Sequence, residues 1–192
     1  DLWEFDLATN TWKVLQATGA APSARLFTAA IWDDHRQHFV VFGGADNGAF
    51  FNTAAYFNDL FVLDFSGAIP NWQSMNAPGA AAPDGRFWAG LVMDKKRDRY
   101  VLFGGHDALN MGNRNDLWAF YPASWAWEEL DPADTYNKPA NGFCDFPPDF
   151  TNVDYEAPER RNAAVFVAGE DSAWLTGGKT DCGVVDDLMR LD

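Results

Sequence analysis

Short apolar runs separated by polar turns recur along the whole chain. The runs LFTAAIW, FWAGLVM and NAAVFVA are each followed, after a polar turn, by VVFGG, VLFGG or WLTGG. Runs of this length, rich in β-branched and aromatic residues and bounded by turn residues, are typical of buried strands. Helical periodicity nowhere extends beyond about two turns. The pattern therefore predicts an all-β protein.

The same signatures return in the same order, which indicates an internal repeat. An arginine precedes each first run, a glycine pair ends each second run, Asp-Leu opens a third run, and a tryptophan opens a fourth. The repeated positions are Arg25, Arg86 and Arg161; Gly43, Gly44, Gly104, Gly105, Gly177 and Gly178; Asp59, Asp116 and Asp187; and Trp12, Trp72 and Trp127. An additional third run, DLWEFD, opens the chain. Each unit is predicted to be a sheet of four short strands.

This order of arginine, Gly-Gly, Asp-Leu and tryptophan closely resembles the kelch repeat, whose four antiparallel strands form one blade of a β-propeller. The resemblance covers essentially the whole chain and implies a little over three blades in an open or partial arc. Gly43 and Gly104 are 61 residues apart, and Gly104 and Gly177 are 73 apart. A kelch repeat has about 50 residues, so insertions are expected in the loops. The copper site of galactose oxidase, a kelch-like enzyme, has no residue-by-residue match here.

The resemblance divides the chain into blades. We expect a half blade at 1–16, blades at 17–75 and 76–130, an acidic inter-blade insertion at 131–159, and three strands of a further blade at 160–192. Both ends interrupt a blade, and the chain starts at Asp1 without a signal peptide. We therefore expect a fragment of a larger propeller, or one part of an assembly that covers its exposed blade faces.

The repeated residues are expected to be structural. The glycine pairs allow the chain to turn and neighbouring blades to approach closely. The arginines are expected to bind blade backbones, and the tryptophans to fill the space between sheets. The alternatives are a phosphate-binding role for the glycines, which lack the helix and Lys or Ser/Thr of a P-loop, and carbohydrate stacking by the tryptophans.

Composition excludes some partners. The 192 residues include 28 acidic and 14 basic side chains, giving a formal charge of -14, which argues against a nucleic-acid partner. The apolar runs are much shorter than the roughly 18 residues of a membrane-spanning helix. Hydrophobic residues make up 47% of the chain, which is enough for a sizeable core.

The two cysteines are Cys144, in the insertion, and Cys182, in a loop of the following blade. Loops between second and third strands emerge on the same face of a propeller as the inter-blade connections. We therefore predict a Cys144–Cys182 disulfide and, from it, an extracellular or periplasmic location. The alternative is two unrelated buried thiols.

The insertion at 131–159 is strongly acidic, with seven acidic residues against one basic residue, Lys138. A calcium site could be formed by Asp145, Asp149 or Asp154 together with Asp181, because Ca²⁺ prefers clustered carboxylate oxygens. No EF-hand spacing is present, so a solvated acidic loop is the favoured interpretation. No cofactor is otherwise expected.

Catalytic chemistry would need a cluster outside the repeat. His35 and His38 lie in the turn DDHRQH, where polar residues are expected to be solvated, and His106 lies in a loop after a glycine pair. No nucleophile–histidine pattern is present, so no catalytic residue is assigned. The enzyme alternative is a sugar epimerase or oxidase that uses His106, Asp107, Arg114 and Glu159 near the channel mouth.

The loops therefore carry the functional prediction. Their candidate binding residues are Phe50, Phe51, Tyr56, His106, Asp107, Arg114, Phe146 and Phe150. Aromatic side chains in loops on a rigid scaffold are typical of recognition surfaces. The sequence predicts a noncatalytic module that binds a protein partner or an assembly through this face. The second alternative is a carbohydrate-binding domain that uses loop aromatics such as Phe50 and Phe146.

Overall fold

The computed structural model describes residues 1–50, 55–76, 81–107, 112–132, 158, 160–180 and 183–192, with the backbone alone at 49 and 50. Four sheets follow one another along the chain. Sheet 1 contains β1 (Leu2–Asp6) and β2 (Thr11–Leu15). Sheet 2 contains β3 (Thr18–Gly19), β4 (Ala29–Asp33), β5 (His38–Phe42), β6 (Leu60–Asp64) and β7 (Asn71–Ser74). Sheet 3 contains β8 (Arg86–Phe87), β9 (Gly90–Asp94), β10 (Arg99–Asp107), β11 (Asn113–Tyr121) and β12 (Ala126–Asp131). Sheet 4 contains β13 (Val165–Ala168), β14 (Ala173–Thr176) and β15 (Leu188–Leu191), and a 3-10 helix spans Asn47–Phe50.

Consecutive strands pair antiparallel within each blade. Strands β4 to β7 and β9 to β12 each form a four-stranded meander, and β13 to β15 repeat its first three strands. First strands of neighbouring blades lie side by side, since β9 contacts both β4 and β13. The prediction of an all-β fold built from antiparallel blades in a partial propeller is confirmed. The parallel pairing of the two-residue β3 with β7 was not expected.

The main core lies between sheets 2 and 3. Val40 and Phe42 of β5 face Tyr100 and Leu102 of β10, and all four are almost fully buried. Full burial of one such side chain stabilises the fold by about 1.5–3 kcal/mol. Trp127 packs against this core, with its ring 5.3 Å from that of Phe42. The interface between sheets 3 and 4 buries a smaller cluster of Val92, Val101 and Ala173, with Leu117 and Phe166 packed against it.

The repeated arginine of each blade binds two other repeated positions of the same blade. Arg86 donates from Nη1 to the carbonyl of Gly104 at 3.0 Å and to Asp116 Oδ1 at 2.6 Å. Arg25 makes the same pair of contacts with Gly43 and Asp59, and Arg161 makes them with Gly177 and Asp187. The motif residues, although far apart in sequence, therefore form one cluster that ties the segment before the first strand of a blade to its second and third strands.

In the blades of sheets 2 and 3, the second glycine of the pair links that blade to the next. Gly44 N–H donates to the Arg86 carbonyl at 2.8 Å, and Gly105 N–H donates to the Arg161 carbonyl at 3.0 Å. Both glycines have φ of +98°, a conformation that L-residues avoid. In sheet 3 the pair does not end the strand as the pattern predicted. A register shift between Phe103 and Gly105 lets β10 continue to Asp107 and pair with β8.

The turn between β4 and β5 is more than a solvated loop. Asp33 is fully buried and accepts a 2.7 Å hydrogen bond from Tyr100 Oη of the next blade. Arg36 binds Asp33 and also Asp98, which again belongs to the next blade. The expectation that polar residues of this turn are simply solvated is therefore wrong for Asp33 and Arg36, because they join two blades. His35 is exposed, as expected, whereas the His38 side chain is only 17% exposed and lies 3.7 Å from Asp64, so the expectation is wrong for His38 as well.

The three repeated tryptophans differ in environment. Trp127 lies between sheets, and Trp72 is partly buried in β7. Trp12 is 65% exposed and contacts Phe5 within sheet 1 at a ring distance of 4.9 Å. Trp12 thus does not fill a space between sheets here, because β1 and β2 pair only with each other among the described strands. None of the described residues forms a helix long and apolar enough to cross a membrane.

Candidate functional site

Five rings form a continuous group on the face that carries the loops between second and third strands. Phe27 lies 4.3 Å from Trp88, Trp88 lies 5.0 Å from Phe87, and Phe87 lies 5.2 Å from Tyr56 and 5.0 Å from His106, measured between ring centroids. We call Phe27, Tyr56, Phe87, Trp88 and His106 the loop-face cluster. Because Phe27 and Tyr56 belong to one blade and the others to the next, the cluster spans a blade boundary.

An unusual backbone conformation positions two of these rings. Phe27, Trp88 and Ala163, each two residues after a repeated arginine, have positive φ values of 58°, 54° and 53°. Trp88 N–H donates to the Phe27 carbonyl and Ala163 N–H donates to the Trp88 carbonyl, both at 3.0 Å. Ala163 adopts the same conformation without a ring. The backbone role therefore does not require an aromatic side chain at 27 or 88.

Beside the rings, Arg114 is surrounded by carboxylates. Its Nε lies 3.3 Å from Asp107 Oδ2, and its Nη2 lies 3.8 Å from Asp84 and 3.7 Å from Asp116. The Arg114 side chain is 21% exposed, whereas Asp107 and Asp116 are fully buried. Arg114 therefore lies within ion-pair distance of three carboxylates, of which Asp116 is also bound by Arg86.

The phenol of Tyr56 is held in its neutral form. Burial raises the pKa of Tyr56, and the negative charge of Asp107 raises it further. Its hydroxyl therefore stays protonated at neutral pH and can donate a hydrogen bond to a ligand. The site thus combines apolar rings, a hydroxyl donor and a carboxylate-flanked arginine.

Buried amides connect sheets 3 and 4 next to this site. Asn162 Nδ2 donates to Asn113 Oδ1 at 2.6 Å, and both residues are almost fully buried. Arg161 N–H donates to the Arg114 carbonyl at 3.1 Å, so the backbone that carries Arg114 is tied to the next blade. These contacts fix the position of Arg114 relative to both sheets.

The structure brings together four of the predicted binding residues: Tyr56, His106, Asp107 and Arg114. Phe50 ends the 3-10 helix, and its side chain is not described. The other predictions lie outside the described residues, namely Phe51, Phe146, Phe150, Cys144, Cys182, Glu159, Asp145, Asp149, Asp154 and Asp181. Within the described ranges, no group of three or more His, Cys, Asp or Glu is placed to hold a metal ion.

The sequence analysis missed Phe27, Phe87, Trp88 and Asp84. The rings of Phe27 and Trp88 were assigned to first strands, which in fact begin only at Ala29 and Gly90. Their common distance of two residues from the repeated arginines was the signal that could have found them. The occurrence of Ala163 at the third such position shows that the rings vary while the backbone does not.

A family model described as the KLHDC2/KLHL20/DRC7 Kelch-repeats domain matches residues 1–145. The chain belongs to the Kelch-repeat family. This assignment accounts for the arginine, glycine-pair and aspartate cluster found in each blade. It also agrees with the resemblance carried by the repeated motif.

Several curated proteins are similar to this Kelch chain. Human Kelch domain-containing protein 3 is 30% identical over 135 residues, which cover 69% of this chain and 34% of that protein. The dynein alpha chain of the flagellar outer arm of Chlamydomonas reinhardtii is 36% identical over 129 residues, covering 64% of this chain and 3% of that protein. The host cell factor homolog hcf-1 of Caenorhabditis elegans is 26% identical over 139 residues, covering 68% of this chain and 17% of that protein. The Kelch chain thus spans about a third or less of the length of these relatives.

Proposed function

We propose that the loop-face cluster and Arg114 form a protein-binding surface on this Kelch arc. The observation that carries the proposal is the contiguous group of rings with Trp88 still 39% exposed. Aromatic and arginine side chains contribute most of the binding energy at many protein interfaces. The Kelch-repeat relatives support a protein-interaction module as the general function.

The identity of the rings supports a binding role over a purely structural one. Ala163 shows that the repeated backbone hydrogen bond forms without a ring, yet Phe27 and Trp88 both place one at this position. Trp88 adjoins other rings of the cluster while remaining 39% exposed, and a contiguous exposed apolar patch is a feature of interaction surfaces. Asp84, which is 40% exposed beside Arg114, favours a partner whose contacting surface offers a hydrogen-bond donor as well as an apolar side chain.

The test compares two tryptophans that are matched in local structure. Trp88 and Trp125 have φ values of 54° and 57° and are 39% and 43% exposed. Trp125 lies in the turn between β11 and β12, on the opposite face from the cluster. The tagged protein is used to capture partners from its source cells, and each captured protein is quantified by mass spectrometry.

Trp88→Ala is expected to reduce capture of a specific partner by about tenfold or more, which is the loss typical of a central interface aromatic. Trp125→Ala is expected to leave that capture unchanged. Equal losses in both variants, or no loss with Trp88→Ala, would contradict the proposed surface. Glycan-array binding that depends on Phe50 would favour the carbohydrate alternative. A sugar-converting activity lost in His106→Ala would favour the enzyme alternative.

The proposal includes a Cys144–Cys182 disulfide and an extracellular or periplasmic location. Its support is the sequence placement of one cysteine in the insertion and of the other in the next blade's loop. Thiol titration of the unfolded, unreduced protein should find no free thiol, whereas two free thiols would exclude the bridge. Calcium binding by the acidic insertion is tested separately. A melting temperature of chelator-treated protein that does not change on calcium addition would exclude such a site.

A further inference from the structure

In sheet 2, the outer edge of the fourth strand of the blade carries an added strand. That fourth strand is β7, and β3 pairs with its outer edge in parallel. Thr18 N–H donates to the Pro70 carbonyl at 2.8 Å, and Thr18 Oγ1 donates to Asn71 Oδ1 at 2.9 Å. The outside of a blade in this fold can therefore accept one more strand.

Sheet 3 has a fourth strand of the same kind without such an addition. Among the residues that the structure describes, β12 pairs with β11 on one side and with no strand on the other. Neighbouring blades pack face to face, as sheets 2 and 3 do through the main core. The outer edge of β12 is therefore not an edge that a further blade would cover.

The register of β12 shows which main-chain groups lie on this outer edge. Trp127 pairs with Phe120 as Trp72 pairs with Leu63 in sheet 2. The parallel register of β3 with β7 directs the Trp72 N–H toward β3, so the equivalent Trp127 N–H points out of sheet 3. Main-chain groups alternate between the two edges of a strand. The N–H and C=O of Glu129 therefore point outward with those of Trp127.

The sequence accounts for the difference between the two edges. Counted from the tryptophan that opens each fourth strand, Pro78 is equivalent to Thr18 and Ala126 is equivalent to Asn71. Proline has no N–H, and alanine has no side-chain acceptor. The two polar contacts that Thr18 makes with β7 therefore have no counterpart at the equivalent positions of sheet 3.

The side chains of β12 indicate what kind of strand this edge accepts. The strand contains Glu128, Glu129 and Asp131 and no basic residue. Glu128 and Glu129 are exposed and lie on opposite faces of the sheet. Two copies of this edge would bring like charges together, which disfavours pairing of β12 with itself. A strand with basic side chains is instead attracted on both faces, and the formal charge of -14 acts in the same direction.

We propose that the outer edge of β12 binds an extended, basic segment of a partner protein, which adds a fifth strand to sheet 3. The main-chain groups of Trp127 and Glu129 bond to this strand, and its lysine or arginine side chains lie near Glu128 and Glu129. Strand addition to an open sheet edge is a general mode of peptide recognition, in which main-chain bonds give affinity. The surface shares no residue with the loop-face cluster.

Amide hydrogen exchange of the intact chain, followed by NMR, tests whether the edge is open. The N–H groups of Trp127 and Glu129 are expected to exchange quickly, and that of Trp72, which β3 covers, slowly. Slow exchange at Trp127 and Glu129 at every protein concentration would mean that other residues of this chain cover the edge. Slow exchange that appears only at high concentration would mean that a second copy covers it. Either result would overturn the proposal.

The binding experiment uses the peptide acetyl-Lys-Val-Lys-Val-Lys-Val-amide as the probe. At a peptide concentration tenfold above Kd, exchange at Trp127 and Glu129 is expected to slow about tenfold, because only the free edge exchanges. Exchange at Trp72 is expected to stay the same. A peptide with glutamate in place of each lysine should bind more weakly, and salt should weaken binding of the lysine peptide. Absence of binding, or equal binding of both peptides, would overturn the proposal.

Glu129→Pro removes an outward N–H without removing a hydrogen bond within sheet 3, a change that edge strands tolerate, and is expected to abolish binding of the lysine peptide. Ser74→Pro, at the equivalent position of β7, is the matched control and is expected to leave binding unchanged. If Glu129→Pro fails to fold, Glu129→Lys provides the test, because it should weaken binding of the lysine peptide and strengthen that of the glutamate peptide. Unchanged binding in folded Glu129→Pro, or an unchanged peptide preference in Glu129→Lys, would contradict the proposed edge.

Discussion

Replacement of Arg86 by methionine is expected to destabilise the protein far more than replacement of Arg25. Arg86 and Asp116 are both fully buried and are joined by two hydrogen bonds of 2.6 and 2.8 Å. Without the guanidinium, the Asp116 carboxylate and the Gly104 carbonyl lose a buried donor. Breaking a buried ion pair from one side costs about 3–5 kcal/mol, because the remaining charge is left unpaired.

The equivalent pair in the preceding blade provides the control. Arg25 makes the same contacts, but its partner Asp59 is 25% exposed. Water can therefore solvate Asp59 when Arg25 is replaced, so Arg25→Met is expected to cost about 1–2 kcal/mol. Urea unfolding of both variants, monitored by tryptophan fluorescence, measures the difference as a shift in midpoint at unchanged slope.

The pH dependence separates the charge effect from loss of packing. Burial acts to raise the pKa of Asp116, but hydrogen bonds from Arg86 outweigh it and hold the pKa below its usual value. In Arg86→Met the burial effect remains and the arginine does not, so Asp116 should take up a proton more readily. The penalty of the variant should therefore shrink as the pH falls toward 4. The reasoning is refuted if Arg86→Met costs no more than Arg25→Met, or if its penalty does not change with pH.

Three further predictions concern contacts between blades. Tyr100→Phe removes the 2.7 Å hydrogen bond to buried Asp33 and should cost about 1.5–3 kcal/mol in urea unfolding, whereas Tyr121→Phe, whose hydroxyl binds Glu128 at an exposed site, should cost much less. Burial acts to raise the pKa of Asp33, but its hydrogen bonds lower it below the usual 3.8. Its contribution to stability is therefore full above about pH 4 and is lost as the pH falls through the folded pKa, so an acid titration of Tyr100→Phe should be shallower than that of the unmodified chain. Lys96→Ala breaks an exposed ion pair with Asp171 and should leave the midpoint of urea unfolding essentially unchanged, with or without added salt.

The blade architecture could be predicted from the sequence because the residues that specify it recur in the same order in each blade. The arginine, glycine pair and aspartate recur in order, and the structure joins them in one cluster per blade. The contact between Tyr100 and Asp33 could not be predicted from the sequence, since the two residues are 67 positions apart and neither belongs to the motif. Such a pairing depends on how one blade packs on the next, which strand patterns do not specify.

The site was only partly predictable for a related reason. The expected loop position selected Tyr56, His106, Asp107 and Arg114, which the structure places together. The loop position itself was wrong for His106 and Asp107, which belong to β10, and for Arg114, which belongs to β11. Phe27 and Trp88 were not predicted as binding residues, because each belongs to an apolar run and therefore resembles a strand residue. Their left-handed backbone conformation is uncommon for non-glycine residues, and side-chain hydrophobicity does not report it.

Comparing equivalent positions in different blades distinguishes residues that the fold requires from residues that can serve a particular function. Where the same residue types recur in the same contacts, as for Arg86 and Asp116, the fold itself requires them. Where the backbone recurs and the side chain differs, as for Trp88 against Ala163, the fold tolerates either residue. At such positions the side chain can vary to suit a binding partner without loss of the blade fold.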